Sequence, residues 1–143
     1  MTQISAFGIF CEDVREEKSG GTTIVGATLD NVYLPGFPGM LAKFALFARL
    51  NLPLDAQAHA AHIYITMPDG NRVLVGHVPE DAVATAIEDA RRNEAPFAGI
   101  ITHMIAAPFP LDKPSRVTAD LTYGDEQFIL GFVNFRQGPP PAA

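Results

Sequence analysis

Apolar and polar residues alternate most regularly near the end of the chain, in the stretch RVTADLTYGDEQFILGF (116–132). Every second residue from Val117 to Tyr123 is apolar, which is the period of a half-buried β-strand. A two-residue turn at Gly124-Asp125 would close a hairpin, because glycine readily adopts a positive φ. The predicted facing pairs are Leu121 with Phe128, Ala119 with Leu130 and Val117 with Phe132.

A second hairpin is predicted in AHIYITMPDGNRVLVGHV (61–78). Proline suits the second position of a type I turn, and the glycine that follows suits a left-handed residue, so Pro68-Asp69-Gly70 forms a three-residue loop. This loop fixes the register of the two strands. The predicted facing pairs are Ile65 with Val73 and Ile63 with Val75.

One stretch, PEDAVATAIEDARRNE at about 79–94, has a helical pattern. Pro79 precedes acidic residues at the positive end of the helix dipole, and Arg91 and Arg92 lie at the negative end. Glu88 is placed to pair with Arg92 one turn later. The apolar stripe is mostly alanine, so we expect the helix to pack lightly on the outside of the fold as a crossover.

Prolines cut the rest of the chain into pieces of strand length. The segments 40–50 and 97–107 fit either a strand or a helix, and their β-branched and aromatic residues favour strands. The sequence therefore predicts an all-β, immunoglobulin-like two-sheet antiparallel sandwich of seven or eight strands with one peripheral crossover helix. Residues 1–137 form a single domain in this prediction, and residues 138–143 form a disordered proline-rich tail.

The charge of the chain narrows the classes of partner. The net charge is −6, and the ten basic residues are spread along the sequence. Nucleic acids and anionic membranes require a basic stripe, so we expect neither as a partner. The N-terminus lacks the pattern of a signal peptide, and a single cysteine excludes an internal disulfide framework. These features predict a cytoplasmic location.

The N-terminal third resembles a family of small uncharacterised bacterial proteins that is known as a domain of unknown function. The resemblance rests on CEDVREEKSGGTTIVGA (11–27), which contains a Cys-x-Asp-Val-Arg-x-Glu motif, and on LPGFPGML (34–41). It implies a compact β fold without an assigned activity. The resemblance implies no catalytic residues.

Glu12, Asp13, Arg15 and Glu16 form a candidate polar cluster after the first predicted strand. In an extended chain their side chains point to opposite sides, so we expect a solvated strand end rather than a metal site. Cys11 precedes the cluster and has no histidine or helix N-terminus beside it. We expect a buried, unreactive thiol.

His62 and His77 are candidate metal ligands in the second hairpin. A two-residue turn would place them directly opposite each other, whereas the three-residue turn favoured above places them on different faces. Tetrahedral zinc would also need at least one further ligand. We therefore expect no metal and no cofactor, with a metal site as the alternative.

The connection NVYLPGFPGML (31–41) is unusually apolar for a loop. Aromatic residues and methionine are typical of interface cores, which makes this connection a candidate partner-binding surface. The alternative is that its side chains close one end of the sandwich. The candidate residues are Tyr33, Leu34, Phe37 and Met40.

No nucleophile elbow, phosphate-binding glycine loop, C-x-x-C or H-E-x-x-H motif occurs in the sequence. The sequence therefore favours a non-enzymatic module that binds an unknown protein or assembles as a homo-oligomer, through an edge strand or the 31–41 loop. The alternatives are a metal-dependent hydrolase or small-ligand binder, and a phage-particle accessory protein. The hydrolase or ligand binder would use His62 and His77 together with Glu12 and Asp13.

Overall fold

The computed structural model describes residues 3–142, which form twelve β-strands and one α-helix. The prediction of a mostly β chain is confirmed. In chain order the elements are β1 (Ser5–Cys11), β2 (Asp13–Glu16), β3 (Thr22–Val25), β4 (Asn31–Leu34), β5 (Gly39–Leu41), β6 (Phe44–Leu52), β7 (Ala61–Thr66), β8 (Arg72–Val78), α1 (Glu80–Arg92), β9 (Ala98–Ala106), β10 (Phe109–Leu111), β11 (Ser115–Tyr123) and β12 (Glu126–Gln137).

Two larger sheets make up most of the fold. One contains five strands in the order β4-β12-β11-β7-β8, and the other contains three in the order β1-β6-β9. Their inward-facing residues share one hydrophobic core, so the arrangement is sandwich-like. The two larger sheets contain eight strands, within the predicted seven or eight, but the prediction missed the short pairs β2-β3 and β10-β5, which add four strands of three or four residues each. Such short strands have no clear period in the sequence.

Strand β4 does not follow the predicted antiparallel pattern. It runs parallel to β12, with Asn31 opposite Asn134 and Leu34 opposite Gln137. A parallel pair is joined by a crossover rather than by a tight turn. The two asparagines are 103 positions apart in the sequence, so no local turn signal could indicate this pairing.

Strand β6 lies in the middle of the three-stranded sheet and is buried on both faces. On the inner face, the ring of Phe44 is only 1% exposed. Its centroid lies 4.8–5.3 Å from the rings of three phenylalanines on three other strands, which are Phe10, Phe109 and Phe135. This aromatic cluster joins β1, β6, β10 and β12.

The other face of β6 is covered by the β2–β3 hairpin. Ala45 and Phe47 pack there in a second, smaller core with Cys11, Val14 and Ile24. Burial of both faces explains why segment 40–50 has apolar residues at helical as well as strand spacing. The prediction that both ambiguous segments are strands is confirmed by β6 and β9.

The β11–β12 hairpin has the predicted two-residue turn, with Tyr123 paired to Glu126 and Leu121 to Phe128. The remaining predicted pairs are wrong by one residue, because a bulge between Ala119 and Asp120 shifts the register. A bulge places one extra residue in one strand, which a regular alternation cannot predict. The observed pairs beyond the bulge are Ala119 with Gly131 and Val117 with Val133.

The β7–β8 hairpin has the predicted three-residue loop. The Met67 N–H donates to the carbonyl of Asn71 at 2.8 Å, and Gly70 has a φ of 88°. The pair Ile65 with Val73 is confirmed. A bulge then places Ile63 opposite Gly76, so the predicted pair of Ile63 with Val75 is wrong.

Helix α1 connects β8 to β9 and packs against β9 through Val83 and Ile87. The predicted helix is confirmed, but Glu88 pairs with Arg91 rather than with Arg92. Arg92 pairs with Asp89 instead, so both ion pairs have a spacing of three residues. Helix α1, the one helix within residues 3–142, has 13 residues and is too short to cross a membrane.

Strand β9 forms one edge of the three-stranded sheet and pairs with β6 alone among the described strands. Its nine residues carry no Asp, Glu, Lys or Arg, and Ile101 and Ile105 are exposed. Natural edge strands are commonly protected by charged residues, prolines or bulges. Strand β9 has none of these within its bounds.

Strand β12 ends at Gln137, the last residue of the predicted domain 1–137. The Gly138 N–H still donates to the carbonyl of Leu34, and residues 139–142 have no regular secondary structure. The single domain and the disordered tail 138–143 stay predictions. Residues 1, 2 and 143 of these two ranges lie outside the described residues.

Candidate functional site

One side of the five-stranded sheet points away from the core and carries most of the polar chemistry of the chain. Side chains alternate across each strand, so the outward residues lie between the buried ones. We call this surface the outer face. Its residues are Asn31, Tyr33, His62, Tyr64, Thr66, Arg72, Leu74, His77, Arg116, Thr118, Asp120, Thr122, Gln127, Ile129, Phe132, Asn134 and Arg136.

The charge of the outer face is opposite to that of the whole chain. Its three arginines and one aspartate give a net charge of +2, whereas the chain has −6. The single carboxylate, Asp120, is 4% exposed and already paired. The outer face is therefore a positively charged surface on an acidic protein.

The buried carboxylate of Asp120 lies at the centre of the outer face. Arg72 approaches it with two nitrogens, Nη2 at 2.5 Å from Oδ2 and Nε at 3.3 Å from Oδ1, and Gln127 donates to Oδ2 at 3.0 Å. This hydrogen bonding raises the pKa of Arg72. The guanidinium also stacks on Tyr64, with Cζ 3.6 Å from the ring centroid. Both carboxylate oxygens have partners, so the cluster orders the outer face and leaves no free base.

Two other arginines of the outer face are held by asparagines. Arg116 donates from Nε to Asn134 at 2.8 Å, and Arg136 donates from Nε to Asn31 at 2.7 Å. The amide of Asn134 in turn donates to Asn31 at 3.4 Å. No ion pair within residues 3–142 involves either arginine. The Nε–H groups therefore fix the side chains while the terminal nitrogens stay available.

Large apolar side chains are exposed on the same face as these arginines. Leu74, Ile129 and Phe132 are exposed to 52%, 66% and 38%. The Arg116 guanidinium lies over Phe132, with Cζ 4.7 Å from the ring centroid. Exposed aliphatic and aromatic residues beside arginines are the composition that protein interfaces favour.

His62 and His77 also belong to the outer face. The bulge in β8 places them directly opposite each other, with their ring centroids 4.8 Å apart. The expectation that they lie on different faces is therefore wrong, although the predicted loop is correct. The loop length sets the register next to the turn, and the bulge changes it between Tyr64 and Ile63.

The four residues predicted to bind a partner in the 31–41 loop have different environments. Leu34 is 4% exposed and belongs to the core, and Phe37 is partly buried against the same core. The buried side chain of Leu34 therefore offers almost no surface to a partner in this structure, and partner binding by these four residues stays a prediction. Tyr33 faces outward beside Arg136, and Met40 is 62% exposed on β5. Of the four, only Tyr33 belongs to the outer face.

The predicted polar cluster does not converge on one point. Asp13 lies 3.4 Å from Lys43, Glu12 packs along the β2–β3 hairpin beside Gly26, and Arg15 and Glu16 are exposed. Across residues 3–142 no group of three or more His, Cys, Asp or Glu side chains could hold a metal ion. The arrangement agrees with a solvated strand end.

Cys11 is fully buried in the second core, and burial raises the pKa of its thiol. A buried, protonated thiol is a poor nucleophile. We expect 5,5′-dithiobis(2-nitrobenzoic acid) to leave the native protein unmodified over minutes and to react with one thiol per chain in guanidinium chloride. Rapid stoichiometric reaction of the native protein would contradict this burial.

The sequence does not predict that Arg72 pairs with Asp120. It also does not predict that Arg116 and Arg136 lie on one face. Asp120 occupies a polar position of the alternating stretch 116–132, and this position is the only sequence feature that indicates an outward-facing carboxylate. Its partner Arg72 lies on β8, two strands away in the sheet order. The two asparagines that hold the arginines lie on the parallel pair β4 and β12. Both groups therefore depend on strand order.

Comparison with curated proteins found no match. A family model described as a family of unknown function (DUF6941) matches residues 6–129. The match spans β2 to β11 and most of the outer face, and it agrees with the expectation of a family without an assigned activity. This protein belongs to the family of unknown function DUF6941.

Proposed function

We propose that this protein is a non-enzymatic binding module that holds an acidic segment of a partner protein on the outer face. The observation that carries the proposal is the pair Arg116 and Arg136. Each is fixed through Nε by an asparagine, and neither has a carboxylate partner within residues 3–142. A guanidinium that is held through Nε and has no carboxylate partner can use its two terminal nitrogens to bind a carboxylate with two hydrogen bonds.

Charge complementarity selects the chemistry of the partner. A net charge of +2 on the outer face repels basic segments and attracts acidic ones, while the net charge of −6 on the whole chain opposes nonspecific binding of acids elsewhere. The partner segment therefore carries aspartate or glutamate at the positions that meet the two arginines.

The apolar residues of the outer face define a second requirement. Phe132 is exposed beneath the Arg116 guanidinium, and Ile129 is exposed further along β12, opposite Asp120. They offer area for burial, which supplies affinity that exposed charges alone do not. We therefore expect an aliphatic or aromatic side chain in the segment, close to its acidic residues.

Selection from a library of random 12-residue peptides on the purified protein tests this function. We expect the selected peptides to be enriched in Asp and Glu together with Leu, Ile or Phe. A labelled selected peptide should bind less tightly as salt is added, because salt screens the attraction between its carboxylates and the two arginines. Selected peptides without acidic residues, or no enrichment, would overturn the proposal.

Replacement of both arginines locates the binding surface. We expect R116A/R136A to weaken binding of a selected peptide by roughly tenfold or more in fluorescence anisotropy, since charge-assisted hydrogen bonds are lost. The matched control is R15A/K18A, which removes the same charge from exposed residues of 13–18. Equal affinities for wild type and R116A/R136A would contradict the assignment.

Sedimentation of the same variants distinguishes a partner from a second copy of the chain. We expect wild type and R116E/R136E to sediment as the same species, because the occupant is another protein. A wild-type oligomer that R116E/R136E dissociates would assign the outer face to self-assembly and would overturn the choice of a foreign partner.

A further inference from the structure

The histidine pair of the outer face depends on a bulge in β8. Tyr64 of β7 faces Leu74, and the residue before it, Ile63, faces Gly76. Val75 therefore has no partner on β7 and is the extra residue. Without this bulge, regular pairing would place His62 opposite Gly76. Bulges commonly redirect side chains at functional sites. Here the bulge brings two imidazoles to the same side of adjacent strands.

The distance between the two rings fits chelation of one metal ion. Their centroids are 4.8 Å apart and their planes are inclined by 35°. With metal–nitrogen bonds of about 2.0–2.1 Å, two imidazoles on one ion have centroids on the order of 4.5–5.2 Å apart, for bond angles between square and tetrahedral. The observed distance lies within this interval, so the spacing of the two rings is compatible with chelation.

Both imidazoles are also free to bind. Neither His62 nor His77 hydrogen-bonds through its ring to another side chain in the described part of the chain. His77 is exposed on the edge strand β8, and His62 is half-buried beside it. A hydrated ion can therefore reach both rings from solvent. In contrast, His59 lies edge-on against buried Tyr123, and His103 is alone on β9.

We propose that His62 and His77 bind one divalent transition-metal ion between β7 and β8. Imidazole is a preferred ligand of Cu²⁺, Ni²⁺ and Zn²⁺, and Cu²⁺ binds most tightly in the general order of stability. Two protein ligands leave coordination positions for water or for a group of a bound molecule. Catalytic zinc sites use three protein ligands, so the site differs from that of a metal-dependent hydrolase.

The proposal is independent of the acidic partner, because the metal alone is the probe. We expect isothermal titration with NiCl₂ or ZnCl₂ to show one ion bound per chain. Nuclear magnetic resonance should show the largest changes at the imidazoles of His62 and His77. Affinity should fall in more acidic buffer, since protons compete with the metal for imidazole nitrogen.

Single substitutions test both ligands against a matched control. We expect H62A and H77A each to weaken binding by roughly tenfold or more, and H103A to bind as wild type does. All three positions are outside the main core, so the variants should fold. Binding that survives H62A/H77A, or no binding at several equivalents of metal, would overturn the site.

Discussion

The variant F44A is expected to unfold at a much lower urea concentration than the wild type, with a free energy of unfolding reduced by about 3–5 kcal/mol. The Phe44 ring is 1% exposed and contacts phenylalanine rings from β1, β10 and β12. Its removal leaves a cavity where several strands meet, so no single element can move to fill it. Far-ultraviolet circular dichroism is a suitable probe, since the chain has no tryptophan.

The matched control is F7A, which removes the same side chain from the other face of the three-stranded sheet. Phe7 is 44% exposed, and its aromatic neighbour Phe47 lies 6.5 Å away between centroids. We expect F7A to reduce the free energy of unfolding by less than about 1.5 kcal/mol. Similar losses in F7A and F44A would contradict the position of the core between the two larger sheets.

The variant Y123F is expected to have the second largest effect, a reduction of about 1–3 kcal/mol in the free energy of unfolding. The buried hydroxyl of Tyr123 donates to the carbonyl of Gln57 at 2.7 Å and accepts from the His59 N–H at 3.1 Å. Its loss leaves two backbone groups of the connection between β6 and β7 without this partner. Urea unfolding and hydrogen exchange at the His59 amide measure the effect.

The control for Y123F is Y64F, which deletes a hydroxyl from the outer face. Tyr64 contacts Arg72 through its ring, and no described hydrogen bond involves its hydroxyl. We expect Y64F to change the free energy of unfolding by less than about 0.5 kcal/mol. If Y123F and Y64F proved equally stable, or if the His59 amide exchanged at the wild-type rate in Y123F, the anchoring role of Tyr123 would be wrong.

Local features of the fold could be predicted where pattern and turn chemistry agree. The alternation up to Tyr123 and the Gly124-Asp125 turn locate a hairpin, and the sequence also locates the Pro68-Asp69-Gly70 loop and helix α1. Register could be predicted only as far as the first bulge in each hairpin. A bulge depends on packing against other strands, and its sequence signal is weak.

The outer face could not be assembled from the sequence, because its residues come from five strands. Arg72 and Asp120 meet only when β7 lies between β8 and β11. Arg136 meets Asn31 only through the parallel pairing of β4 with β12. The 31–41 loop is unusually apolar for a connection, yet the side chain of Leu34 is buried in the core. Composition indicates burial or binding without distinguishing them.

The uncharged edge of β9 has a consequence for the colloidal stability of the native protein. An unprotected edge can pair with the same edge of a second molecule, which joins two native chains into a dimer without prior unfolding. At neutral pH the net charge of −6 keeps molecules apart. As the pH falls, the net charge reaches zero near the isoelectric point of about 5.0, so this repulsion is weakest in mild acid. The acidic composition thus supplies the repulsion between molecules that the residues of β9 do not provide.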